Sequence, residues 1–204
     1  MRGHLAIAFL EFSRIPKGIA VLDKMVKRAP ISFVRSGTIS DGRFLIGIAG
    51  STASVEESYQ EGLHHGGPAI LHSLFLPQPH VQLFEALVED RKWPNEDAML
   101  ILESNHVCSM VQVVDDILKG MDVQLFEIRL ADAVLAGKSI AILEGPLEEL
   151  EAGAVQAQYR MSSLPGQIDL EVIAAPQEDM RSHVHTSTNF TQSRWQDLKG
   201  EHVE

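Results

Sequence analysis

The chain has 204 residues, 45% of them hydrophobic, and a formal net charge of -11 at pH 7, which is enough apolar material for one large domain or two small ones. The acidic balance argues against a nucleic-acid partner. The single cysteine, Cys108, excludes an internal disulfide and any multi-cysteine zinc site and suits a reducing, cytoplasmic setting.

No apolar run approaches the roughly 20 residues that a membrane span needs, and residues 5–10 are too short and lack the flanks of a signal peptide, so no membrane partner is expected. Residues 4–12 read as a strand, and Pro16 opens a helix over 17–28, with Ile19, Leu22, Val26 and Ala29 at helical spacing. Pro30 stops that helix. Residues 31–39 and 43–49 predict two strands around the polar tip Ser40-Asp41-Gly42, which on its own is an ordinary hairpin turn. A helix follows over 51–65, with a capping box expected at Ser54 to Glu57. Gly66-Gly67-Pro68 ends it, a strand runs over 70–76, and a short helix over 79–89 carries Val81, Phe84 and Leu87 on one side. Residues 90–97 read as a linker.

After the linker the order starts again. The shift that places Glu11 on Glu103 also places Val21 on Val113, Asp23 on Asp115 and Lys27 on Lys119. With three residues added in the second tip, Gly50 falls on Gly145 and Arg43 on Lys138. Strands are predicted at 98–103, 123–130, 138–144 and 168–174, and helices at 108–119, 146–158 and 176–185. Residues 186–204 form a polar tail with Trp195 as its anchor. The fold class is therefore α/β (α+β), two copies of a β-α-β-β-α-β unit, with the first domain at 1–92, the second at 93–185 and the tail at 186–204. Ferredoxin-like folds share this order, so it implies no activity by itself.

Phe12-Ser13-Arg14-Ile15-Pro16-Lys17-Gly18, then Val21-Leu22-Asp23-Lys24-Met25-Val26-Lys27-Arg28-Ala29, Gly42-Arg43-Phe44 and Pro77-Gln78-Pro79-His80 resemble the bacterial microcompartment shell domain, over roughly residues 5 to 185. Both halves carry the pattern, in the unpermuted tandem form. The resemblance implies a non-enzymatic homotrimer that builds a pseudohexameric tile. Its expected partners are hexameric and pentameric shell proteins in a cytoplasmic microcompartment, with enclosed enzymes among the further partners it allows. It assigns the central pore, through which small polar metabolites pass, to Ser40, Asp41 and Gly42 and to Asp132, Ala133, Val134, Leu135, Ala136 and Gly137. It assigns Lys27 and Lys119 to contacts between tile edges. Three copies of Asp41 would make the rim negative unless Arg43 or Lys138 reaches it.

One branch of the tandem family holds an iron–sulfur cluster on a tip cysteine. Here Ser40 stands at that place, and a hydroxyl is a poor iron ligand, so no cofactor is expected. Gln78 departs from the family's basic residue between two prolines, and the second half reads Pro176-Gln177-Glu178-Asp179. Two other functions stay open, an electron-conducting shell protein and a trimeric ligand-binding regulator or enzyme on a duplicated ferredoxin-like fold. Other chemistry reads as structural, and no metal site is expected. Glu61 and His65 have metal-ligand spacing but suit a helix end. The turn over residues 47–54 lacks the end of a P-loop, Cys108 reads as a small apolar group, and Asp115-Asp116 and Glu148-Glu149 point to different helix sides.

Overall fold

The computed structural model describes residues 5–95, 97–131 and 135–195. The first half runs β1 (Leu5–Phe12), α1 (Ile15–Arg28), β2 (Phe33–Ile39), β3 (Arg43–Ser51), α2 (Thr52–Gly66), β4 (Ile70–Pro77) and α3 (Val81–Glu89). The second repeats it as β5 (Ala98–Ser104), α4 (Val107–Gly120), β6 (Gln124–Arg129), β7 (Ser139–Gly145), α5 (Leu147–Met161), β8 (Ile168–Ile173) and α6 (Glu178–Thr186). Each half is a four-stranded antiparallel sheet, in the orders β2-β3-β1-β4 and β6-β7-β5-β8. No helix among the described residues is long and apolar enough to cross a membrane.

The central strand β1 is apolar along almost its whole length because both of its faces are covered. Ala6, Ala8, Leu10 and Phe12 pack with Val21 and Met25 of α1 and Val55 and Tyr59 of α2. Ile7 and Phe9 point the other way, into a core with Leu83, Phe84 and Ala86 of α3. The helix layer sits close to the strand. A Cβ on Gly62 would lie 2.5 Å from Leu10 Cδ1 and 2.9 Å from Met25 Sδ, so a larger residue there would have to displace both side-chain ends.

Four local expectations change. In α1 the buried residues are Gly18, Val21 and Met25, while Ile19 and Val26 stay exposed. The helix has two apolar stripes, and the sheet takes only one of them. The cap of α2 is Ser51, whose Oγ accepts the Ser54 N–H at 3.3 Å, so Ser54 lies inside the first turn rather than before it. In α3, Leu83, Phe84, Glu85 and Ala86 are buried and Val81 is exposed. Trp195 is fully exposed and anchors nothing among the described residues.

The two halves share a core. Ile7, Phe9, Leu76, Leu83 and Phe84 belong to the same buried cluster as Leu100, Val111, Val114 and Leu125. Polar contacts fix the joint. Asp115 Oδ1 accepts the His80 N–H at 2.7 Å, Gln82 Oε1 accepts the Leu125 N–H at 2.8 Å, and Gln82 Nε2 donates to Gln124 Oε1 at 2.7 Å. Helix α3 is thus a strap between the sheets. Leu83→Ala removes its fully buried side chain and should lower the unfolding free energy by about 2–5 kcal/mol in urea titrations. A loss below about 1 kcal/mol would mean that the strap does not hold the halves together.

Candidate functional site

The first tip is a short 3-10 turn, Ser40–Gly42, in which Asp41 (φ 62°) and Gly42 (φ 69°) both take left-handed backbone conformations. Aspartate tolerates that region better than most side chains, and glycine adopts it at no steric cost. Of the second tip, Asp132, Ala133 and Val134 lie outside the described residues. Ala136 (φ 52°) and Gly137 (φ 84°) are also left-handed, and Leu135 accepts a hydrogen bond from the Lys138 N–H at 3.1 Å.

The chain brings the tips together. A Cβ on Gly137 would stand 2.8 Å from Ser40 Cβ, so the second tip packs directly on the first. Arg43 fixes this corner. Its Nε donates to the Ser40 carbonyl at 3.1 Å, its Nη1 pairs with the buried Glu11 carboxylate, and its Nη2 lies 3.5 Å from Asp41 Oδ2. The Asp41 charge is therefore partly offset in place, which weakens the expected negative rim. In the second half the matching pair is Lys138 with Glu103, at 2.5 Å and exposed to solvent. The hydrogen bond to Glu103 raises the pKa of the lysine.

A second cluster lies beside the tips, at the joint between the halves. His72 on β4 and His106 at the N-cap of α4 meet with ring centroids 3.7 Å apart and planes at 71°. His106 Nδ1 accepts the Ser109 N–H at 3.2 Å, and Ser109 Oγ donates to the Pro165 carbonyl at 2.6 Å. Burial, followed by the nearby His72 and Arg43, lowers the His106 pKa to about 4. His106 is held neutral. The sequence gives no sign of this pair, since the two histidines sit in different halves and share no spacing motif.

The remaining candidates fall into structural roles. Lys27 Nζ pairs with Asp23 Oδ2 at 2.7 Å and Lys119 Nζ with Asp115 Oδ2 at 2.6 Å, so each proposed edge lysine is tethered one turn back along its own helix. His65 Nε2 lies 2.9 Å from Glu61 Oε1, and the described residues contain no group of three or more potential ligands that could hold a metal. Asp116 pairs with Arg160 Nε at 2.8 Å, away from Asp115. Burial and Glu11 push the Cys108 thiol up to about 12. With a buried thiol off the tip and a hydroxyl at Ser40, the residues present do not fit an iron–sulfur cluster at the tips.

The widest difference between the halves is on their first helices. In α4, Val111 and Val114 are 0% exposed and Leu118 4%, under β4 and α3 of the first half. The counterparts of Val111 and Leu118 in α1, Ile19 and Val26, are 53% and 42% exposed, while that of Val114, Leu22, is partly buried.

Residues 6–79 match the BMC domain family, and the second half repeats the same sheet order. The chain is 26% identical over 175 residues to the bacterial microcompartment shell protein PduT of Citrobacter freundii, covering 86% of this chain and 95% of that one. The first half therefore carries a BMC domain, and the chain is similar over most of its length to a bacterial microcompartment shell protein. A microcompartment protein from Desulfitobacterium hafniense DCB superposes on this chain with a TM-score of 0.78 and 25% identity, over 87% of this chain and 98% of that chain. The double-ringed trimeric shell protein MSM0271 of the RMM microcompartment shares the fold at a TM-score of 0.54 and 14% identity, over 79% and 85%.

The neutral His106 makes the fold sensitive to acid. Its folded pKa of about 4 lies below the ordinary 6.5, so between those values the unfolded chain binds the extra proton and stability falls as pH is lowered. The full effect is up to roughly 3 kcal/mol. His106→Asn keeps an acceptor for the Ser109 N–H and removes the titration. Urea titrations from pH 7 to 4 should show a loss in the wild type that the variant lacks, and parallel profiles would contradict a buried neutral imidazole.

Proposed function

We propose that three copies of this chain close into a ring of six shell domains, a pseudohexameric tile of the microcompartment wall with no catalytic role. Residues 1–92 and 93–185 are its two kinds of domain, and residues 186–204 are a polar tail. The observation that carries this reading is the exposed stripe of α1. Within the chain, β4 and α3 cover the same stripe on α4, so β8 and α6 of a neighbouring copy are the matching cover for α1. Asp23 then stands where Asp115 stands at the joint within the chain, facing the N-terminus of α6 near Gln177. Such an interface is head to tail, and it closes when the rotation between halves is near one sixth of a turn.

In this ring Ser40, Asp41 and Gly42, with Leu135, Ala136 and Gly137, surround the axis. The pairing of Arg43 with Asp41 moderates the charge there, which suits passage of small polar metabolites of either sign. Lys27 and Lys119 lie on the rim, where a long apolar stem can cross to a neighbouring tile and donate to its carbonyls. The tile's partners are other copies and other shell proteins, in a cytoplasmic shell.

Ile19→Asp with Val26→Asp tests the ring. The substitutions fall on exposed positions, so circular dichroism should remain that of the wild type while native mass spectrometry shows monomers in place of trimers. Trimers that survive both carboxylates would refute the α1 interface. Val111→Asp, at the buried counterpart, should instead unfold the chain.

Tiling is tested separately by Lys27→Ala with Lys119→Ala, which removes the stems without adding charge beside Asp23. Trimers should persist and two-dimensional sheets should thin or vanish by electron microscopy. Undiminished sheets would remove both lysines from the edge.

A further inference from the structure

The corner beside the tips contains four groups, three from the first half and one from the second, and their four counterparts are three from the second half and one from the first. Register fixes the correspondence. Glu11 on β1 pairs with His72 on β4, and Glu103 on β5 pairs with Asp169 on β8. The caps fix the rest. His106 is the N-cap of α4 and Arg14 the N-cap of α1, while Arg43 and Lys138 each follow their tip and pair with Glu11 and Glu103.

Within the chain the corner is complete. Arg43 neutralises Glu11, and His72 meets His106 across the joint, an arrangement that needs no further charge. At the free end of the second half it is incomplete. Lys138 pairs with Glu103 and lies in the field of Asp169, which leaves one excess negative charge, on the exposed Asp169. At the free start of the first half Arg14 is exposed, with no ion-pair partner among the described residues.

We propose that the joint between copies is closed by an ion pair, Arg14 of one chain with Asp169 of the next, in the place that His106 and His72 occupy within the chain. The inference rests on the head-to-tail ring and names what recognises the neighbouring copy. A long guanidinium facing a short carboxylate spans the gap that two imidazoles fill. The four groups at the joint between copies, Arg14, Lys138, Glu103 and Asp169, then sum to zero. Desolvating them together requires that balance, because a charge buried without its partner is costly. The fixed joint within the chain and the joint that must assemble thus differ in chemistry, and the charged pair also steers the approach of copies from solution.

Charge reversal tests the pair. Arg14→Asp and Asp169→Arg, both at exposed positions, are compared with the wild type and with the double exchange by sedimentation over a range of concentrations. Circular dichroism and the urea midpoint of each monomer serve as the check on folding. Each single reversal should weaken the trimer at least about tenfold, and the double exchange should recover most of that loss. Raising the salt should weaken the wild type and have less effect on Arg14→Gln with Asp169→Asn. Single reversals that form trimers as stable as the wild type's, or a double exchange no better than the singles, overturn the pair. A trimeric wild type in that result leaves the ring standing, whereas a wild type that is monomeric throughout overturns the ring and the pair together.

Discussion

The apolar stripe of α4 has to be kept from water, and the rest of the molecule depends on how that is done. Val111, Val114 and Leu118 are covered by β4 and α3 of the first half. At roughly 25 cal/mol per Å2 of apolar surface removed from water, three such side chains contribute several kcal/mol. This burial turns two separate sheets into one body with a shared core. It also sets the angle between the halves, and through that angle it brings Ser40 against Gly137 and His72 against His106.

The same constraint leaves a debt at the opposite end of the chain. A duplicated unit that covers its neighbour's first helix always has one first helix left over, here α1 with Ile19 and Val26 exposed. An isolated chain cannot resolve this, because its own β8 and α6 lie at the far end. A ring does resolve it, which is why the incomplete edges of the chain and the proposed assembly follow from a single packing rule. The similarity to microcompartment shell proteins is consistent with that rule.

Around the tips, polar chemistry matters more than apolar burial. Arg43 is shared between the buried Glu11, the Ser40 carbonyl and the Asp41 carboxylate, so the conformation of the tip and its charge are fixed by one side chain. A guanidinium suits this role because its donors point in several fixed directions in one plane. The second half has Lys138 at the equivalent place, a single ammonium with no such fork, and its tip is longer. The two halves therefore keep the same architecture while presenting different charged groups at their tips.

By itself the sequence determined the order of elements, the duplication and the place of the tips, because these follow from local properties. Hydrophobic period, the breakers at Pro30 and Gly66, and the recurrence of Asp23 and Lys27 at Asp115 and Lys119 are all written along the chain. It could not determine which of two apolar stripes on α1 faces the sheet. Ile19 and Val26 have the same hydrophobicity as buried residues, and only the position of the sheet and of the neighbouring half separates them. The cap at Ser51 was hidden because Ser51, Thr52 and Ser54 all carry hydroxyls of the kind that cap helices. The neutral His106 and its contact with His72 were invisible, since the pKa of a histidine depends on burial and on charges brought close from β3 and β4. Tertiary structure decided these points because burial and proximity are properties of the packed chain, and no spacing along the sequence encodes them.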